Sequence, residues 1–155
     1  MFILLRQLAA IRREAGLTRG RPRWLAIRHV DAGSCNGCEH ELGAVSNPFH
    51  DLQRHGLDIV ASPRHADILL ITGPVTTRMA GPLQTASRAM PEPRLVAALG
   101  DCALGCNVLG DSTQLVGSLE DVLPVDIRIP GCPPTPDEIA ACLLAALDSH
   151  AGSEA

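Results

Sequence analysis

The chain has 155 residues, of which 46% are apolar and 19% are charged, and its formal net charge is −4. This length fits one domain with a hydrophobic core. An acidic chain without tyrosine lacks the basic face and stacking aromatic side chains of most nucleic-acid-binding proteins, so we expect no nucleic acid among its partners. No apolar run approaches the roughly 20 residues that a membrane-spanning helix needs.

Residues 1–23 are predicted to form an N-terminal amphipathic helix and a linker. Within Phe2–Arg13, apolar residues recur at helical spacing and arginines lie among them. Such a segment can lie on a membrane surface or dock on a partner, and it can equally pack on its own domain. Arg12 and Arg13 are not followed by an apolar stretch, so we expect no export signal and an intracellular location.

Residues 24–150 are predicted to form one α/β domain. Five short apolar runs indicate β-strands, at residues 24–30, 57–60, 67–72, 94–100 and 124–129. Stretches with helical spacing separate several of these strands. This alternation predicts an open parallel sheet with helices on both faces.

Three helices are predicted in this domain. The first covers residues 39–54, where Asn47-Pro48 must bend or restart it, and the second covers 81–90. The third is the clearest, because Thr135 at its start and Glu138 three residues later form a capping-box sequence ahead of an apolar helical face.

Four cysteines lie directly after predicted strands. Cys35 and Cys38 follow the first strand, Cys102 follows the fourth and Cys132 follows the fifth. Open parallel sheets bind ligands at the carboxyl edge of their strands, so these thiols can converge there. Four thiolates suit either tetrahedral zinc or an iron–sulfur cluster. Zinc sites usually take two close pairs, and here two cysteines stand alone, which favours a cluster by about two to one.

The other two cysteines are not expected to be ligands. Cys142 lies on the apolar face of the last helix, where we expect it to pack as a small hydrophobic side chain. Cys106 is four residues beyond Cys102 and competes with it as the third ligand. Cys102 is the better choice because it leaves the strand directly, and the usual count of four thiolates makes Cys106 a nearby non-ligand thiol.

Several segments together resemble one known family. They are Cys35-Asn-Gly-Cys38-Glu-His-Glu41, Ser62-Pro-Arg-His-Ala-Asp67, Pro91-Glu-Pro93, Gly100-Asp-Cys102-Ala and Val125-Asp-Ile-Arg-Ile-Pro-Gly-Cys132-Pro-Pro134. From about Trp24 to Leu147, the chain resembles the small, cluster-bearing subunit of respiratory complex I and the small subunits of membrane-bound [NiFe] hydrogenases. The resemblance implies a flavodoxin-like fold and one [4Fe–4S] cluster, with ligands carried over onto Cys35, Cys38, Cys102 and Cys132.

The resemblance also implies a function within a larger oxidoreductase, with no activity expected from this chain alone. Complex I members typically have two adjacent cysteines at the first pair, whereas Cys35-Asn-Gly-Cys38 resembles group 4, formate hydrogenlyase-type hydrogenases. We therefore expect an electron-transfer small subunit of a membrane-associated, hydrogenase-type complex. The alternatives are the cluster-bearing subunit of a quinone-reducing complex I and a zinc-stabilised interaction module.

The same resemblance implies partners and a location. We expect a large hydrogenase-like subunit or its complex I counterpart, a ferredoxin-like iron–sulfur subunit and a membrane-arm subunit. The chain would then lie peripherally on the cytoplasmic side of the inner membrane.

Charged residues near the cysteines have open roles. Glu41 matches a glutamate of the family pattern and is a candidate either for proton movement or for accepting N–H bonds at the start of the following helix. Glu39 is expected to be a solvated or helix N-terminal charge, and His40 a bystander. Arg64 and Arg78 can offset cluster charge, although solvated surface arginines are commoner.

Overall fold

The computed structural model describes residues 24–106 and 112–152. The helix predicted over Phe2–Arg13 and the linker after it lie outside these residues. Residues 147–152 are described by their helical backbone alone.

A five-stranded parallel sheet forms the centre of the domain. Its strands are β1 (Leu25–Asp31), β2 (Leu57–Ile59), β3 (Ile68–Thr72), β5 (Leu95–Leu99) and β7 (Ile127–Ile129), in the order β2-β1-β3-β5-β7. This is the flavodoxin-like order of a doubly wound sheet, as predicted. The order reverses between β1 and β3, and the ends of these strands open onto the edge that carries the cysteines.

Helices cover both faces of the sheet. They are α1 (Gly37–Ala44), α2 (Ala80–Ala89) and α3 (Pro136–Gly152). Leu42 of α1 and Leu143 of α3 join one buried cluster, and Leu83 of α2 joins the cluster on the opposite face. Strand β3 is buried along its whole length, which explains its continuous apolar sequence.

The capping box predicted at the start of α3 is confirmed. The Glu138 carboxylate accepts hydrogen bonds from the Thr135 backbone N–H and hydroxyl, both at 2.8 Å. The Glu138 N–H donates back to the Thr135 hydroxyl oxygen at 3.4 Å. These bonds fix where α3 begins, and therefore fix the short loop that joins it to β7.

The break predicted at Asn47-Pro48 within residues 39–54 is present, but it begins earlier than predicted. Helix α1 ends at Ala44, and a separate 3₁₀ turn covers Leu52–His55. Between them the Asn47 side-chain oxygen accepts hydrogen bonds from the N–H groups of Phe49 and His50, at 2.8 and 3.1 Å. This asparagine turn, which contains Pro48, satisfies the backbone in place of helical bonds.

A two-stranded antiparallel ribbon is an addition that the sequence did not predict. It joins β4 (Val75–Thr76) to β6 (Leu115–Gly117), beyond the carboxyl end of β3. Strands of two and three residues are too short to show a hydrophobic period.

Candidate metal centre

Four thiols line one small cavity at the carboxyl edge of the sheet. The cavity has a volume of about 100 Å³, and Cys35, Cys38, Cys102 and Cys132 all lie in its wall. Glycine, proline and short polar residues complete the lining. The three loops that carry these cysteines therefore converge, as the sequence predicted.

The first cysteine loop is fixed by its own polar side chains. Asp31, the last residue of β1, accepts hydrogen bonds from the N–H groups of Gly33 and Ser34 at 2.8 and 2.7 Å. The Ser34 hydroxyl oxygen accepts the Asn36 N–H at 3.1 Å. Asn36 has a left-handed backbone with φ of 70°, and α1 begins at the next residue, which places Cys38 in its first turn.

The second and third cysteine loops are tied to each other. The Asp101 N–H donates to the Gly131 carbonyl at 2.9 Å, and the Gly131 N–H donates to the Asp101 carboxylate at 2.7 Å. Each of these residues directly precedes a candidate ligand, Cys102 or Cys132. The reciprocal pair therefore fixes the two thiols relative to each other, although they are far apart in the sequence.

Gly100 keeps the cavity wall open. Its φ is +89°, and a Cβ built on it would lie 2.5 Å from the Cys38 sulfur and 3.4 Å from the Gly131 carbonyl oxygen. A side chain there would strain the backbone and collide with a candidate ligand. The backbone conformation and the lack of space beside Cys38 therefore both require glycine at the end of β5.

The thiols also interact electrostatically. Burial, the charge of Glu39 and the other three cavity thiols together raise the pKa of Cys38 to about 11, and burial has the largest effect. Cys38 is therefore a neutral thiol at neutral pH in the absence of metal. A set of thiols that repel one another as anions suits a cationic metal centre, which deprotonates its ligands on binding.

Neither remaining cysteine lines this cavity. Cys106 is exposed, and its N–H donates to the Asp101 carbonyl at 2.9 Å. Cys142 is partly buried and packs against the core cluster beneath α3, as predicted. Among the residues that the structure describes, no three His, Cys, Asp or Glu side chains are gathered around the position of one metal ion.

Glu39 lies in the first turn of α1, as the expectation of a helix N-terminal charge predicts, but the alternative expectation of a solvated charge is wrong. Its side chain is only 19% exposed, and its Oε1 accepts a hydrogen bond from the buried Thr72 hydroxyl. The His29 Nε2 lies 2.9 Å from the same hydroxyl oxygen and 3.8 Å from Glu39 Oε1. Burial lowers the pKa of His29, against the opposing effect of Glu39. We call His29, Thr72 and Glu39 the polar triad; no local sequence signal joins residues so far apart.

The other charged candidates lie outside the cavity wall. Glu41 is half-buried on α1, and its backbone carbonyl accepts the Val45 N–H at 3.2 Å. His40 is exposed, as expected of a bystander. Arg64 and Arg78 are both exposed, which agrees with the solvated alternative.

No helix in the described part of the chain combines the length and apolarity needed to cross a bilayer.

Comparison with known proteins identifies the family. The family model described as "NADH ubiquinone oxidoreductase, 20 Kd subunit" matches residues 35–146, which include all four cavity cysteines. The chain belongs to this family.

Relatives of the chain come from more than one kind of complex. A Pyrococcus furiosus protein described as a probable membrane-bound hydrogenase subunit is 42% identical over 132 residues, covering 85% of this chain and 78% of its own. Formate hydrogenlyase subunit 7 of Escherichia coli is 42% identical over 123 residues, covering 79% of this chain and 48% of its own. An NADH-quinone oxidoreductase subunit of Citrifermentans bemidjiense is 41% identical over 114 residues, covering 74% of this chain and 66% of its own.

A solved structure extends the comparison. A chain from the membrane-bound sulfane sulfur reductase, an archaeal respiratory membrane complex, superposes with a TM-score of 0.69 at 28% identity, over 83% of this chain and 73% of its own. These relatives are subunits of oxidoreductase complexes. The chain is therefore a small subunit of the hydrogenase and complex I type.

Proposed function

We propose that this chain holds one [4Fe–4S] cluster through Cys35, Cys38, Cys102 and Cys132. In this proposal it passes electrons between a large catalytic subunit and an iron–sulfur chain in a group 4 [NiFe]-hydrogenase-type complex. The observation that carries the proposal is the single cavity that all four thiols line. Such a cluster supplies one-electron chemistry, and the chain supplies ligands, burial and a fixed surrounding charge.

The size of the cavity supports a cluster over a single zinc ion. Zinc in a structural site is enclosed by four sulfurs at about 2.3 Å, which leaves no room between ion and ligands. The cavity of about 100 Å³ is several times the roughly 10–15 Å³ that one water molecule requires by the same kind of measure. A group of several atoms fits this space between the thiols better than one ion does.

The exposure of the site supports a covering partner. Cys35 and Cys132 are exposed in this chain, although Cys38 and Cys102 are half-buried. An exposed low-potential cluster would react with oxygen and could not select its redox partner. We therefore propose that a large hydrogenase-like subunit, or its complex I counterpart, covers this edge, with ferredoxin-like and membrane-arm subunits completing the complex.

Replacement of single cysteines tests the ligand set. Alanine at Cys35, Cys38, Cys102 or Cys132 should abolish the intact cluster in anaerobically purified protein. Alanine at Cys106 and at Cys142 provides matched controls, which should retain iron and acid-labile sulfide near the wild-type content. A cluster that survives loss of a cavity cysteine, or that is lost with Cys106, would overturn this ligand set.

A quinone-reducing complex I is the second candidate. The 41% identity to the NADH-quinone oxidoreductase subunit supports it, whereas the Cys35-x-x-Cys38 spacing favours the hydrogenase-type complex. Stoichiometric nickel in the purified complex would decide for the hydrogenase, and its absence together with quinone reduction would decide for complex I.

A further inference from the structure

The polar triad forms a directed chain of hydrogen bonds. The Thr72 hydroxyl has one O–H, which donates a hydrogen bond to Glu39 Oε1. Its oxygen, 2.9 Å from His29 Nε2, therefore accepts a hydrogen bond from the N–H at that nitrogen. His29 thus supports Thr72, and Thr72 holds the Glu39 carboxylate in one position.

This carboxylate is held at a cost to stability. Thr72 is fully buried, and the second Glu39 oxygen, Oε2, is buried without a hydrogen-bond partner among the described residues. Buried charged oxygens without partners are destabilising, and native proteins contain few of them. A residue that served only to begin α1 would remain in solvent, where the helix dipole also favours it.

Glu39 lies beside a candidate ligand of the cluster. It follows Cys38 directly in the first turn of α1, and Thr72, which donates to its carboxylate, directly precedes Gly73 in the wall of the cavity. Charges interact strongly where burial lowers the effective dielectric constant. Any negative charge added at the Cys38 sulfur is therefore opposed by this carboxylate.

We infer that Glu39, positioned by Thr72 and His29, acts as a fixed negative charge that lowers the reduction potential of the cluster. The inference rests on the proposed function, because it requires a cluster on Cys38. Reduction adds one electron to the cluster, and the nearby carboxylate disfavours that added charge. Net charge and hydrogen bonding around the cluster are established determinants of such potentials. Thr72 and His29 are positioning residues in this account, since they act through Glu39.

Substitution by glutamine separates charge from shape. Glu39→Gln keeps the size of the side chain and its acceptor for Thr72 but removes the charge, so the midpoint potential should shift upward. The readout is a redox titration of the full-length, cluster-loaded chain followed by electron paramagnetic resonance. Glu41→Gln is the matched control: it lies on the same helix and removes the same charge, but Glu41 lies outside both the polar triad and the cavity wall. Its potential should equal that of the wild type.

Variants of Thr72 test the positioning itself. Thr72→Val removes the hydroxyl at constant shape and should shift the potential in the same direction by less, whereas Thr72→Ser should restore the wild-type value. The double variant Glu39→Gln/Thr72→Val should shift no further than Glu39→Gln alone, because Thr72 acts through Glu39. A purely structural Thr72 would give an independent, additive change.

The outcomes distinguish this inference from the proposed function. A chain without iron and sulfide would overturn the proposed function. A loaded cluster whose potential is unchanged in Glu39→Gln, or shifts equally in Glu41→Gln, would overturn the inference alone. If Glu39→Gln takes up no cluster, the midpoint potentials of Thr72→Val and Thr72→Ser test the inference instead. Equal potentials in these two variants would overturn the inference.

Discussion

Replacing Gly100 with alanine should disrupt both the backbone and the candidate cluster site. Gly100 adopts a φ of +89°, which residues with a Cβ rarely adopt. The added methyl group would lie 2.5 Å from the Cys38 sulfur, well inside van der Waals contact. Neither the backbone nor the sulfur can keep its position in the variant.

The expected cost follows from these two effects. A left-handed backbone costs an ordinary residue about 1–2 kcal/mol. Overpacking in a close-packed region adds about 1–3 kcal/mol. The free energy of unfolding should therefore fall by about 2–5 kcal/mol, a large share of the roughly 5–15 kcal/mol that is typical of a domain. Because the clash involves Cys38, iron content should also fall.

Urea denaturation and iron analysis of the full-length chain measure both effects. Gly43→Ala is the control, since a Cβ at this helical glycine meets nothing within 4 Å. It should leave iron content unchanged and stabilise the chain by about 0.5–1 kcal/mol. Wild-type iron content and an unchanged urea midpoint in Gly100→Ala would refute the argument from geometry.

Three further predictions concern the loops, the last helix and the N-terminus. Asp101→Ala should leave the Gly131 N–H unpaired, which should lower the free energy of unfolding measured by urea denaturation by about 1–3 kcal/mol and also lower iron content. Asp101→Asn keeps an acceptor oxygen and should recover most of the stability and of the iron content. Hydrogen bonds from the Thr135 N–H and hydroxyl lower the pKa of Glu138, so its stabilisation is present above the unfolded pKa and is lost as pH falls through the folded pKa. Thr135→Ala should therefore weaken the loss of stability between about pH 5 and 3, and an unchanged pH profile would contradict this. Deleting residues 2–13 should loosen membrane association of the complex with iron content near normal; undiminished sedimentation with membranes would mean that the segment packs on its own domain.

The sheet was predictable because burial leaves a continuous apolar signal. Ile68–Thr72 and Leu95–Leu99 are buried along most of their length, and their sequences are correspondingly apolar. The start of α3 was predictable because its cap is local, with Thr135 and Glu138 three residues apart. A break at Asn47-Pro48 was also predictable, but the end of α1 at Ala44 was not, because helical spacing continues past it and does not reveal the Asn47 side-chain bonds.

The cysteine positions were predictable from topology, whereas their surroundings were not. Each candidate ligand follows a strand, and parallel strands end at one edge. The bonds between Asp101 and Gly131, and between Glu39 and Thr72, join residues about 30 positions apart. No local pattern marks such pairs, so the burial of Glu39 became visible only in the folded chain.

The central claim is that four cysteine thiols hold one [4Fe–4S] cluster. Iron, zinc and acid-labile sulfide analysis of the full-length chain, purified anaerobically, tests it most directly. The account predicts about four iron atoms and four sulfides per chain. Stoichiometric zinc without sulfide would contradict it.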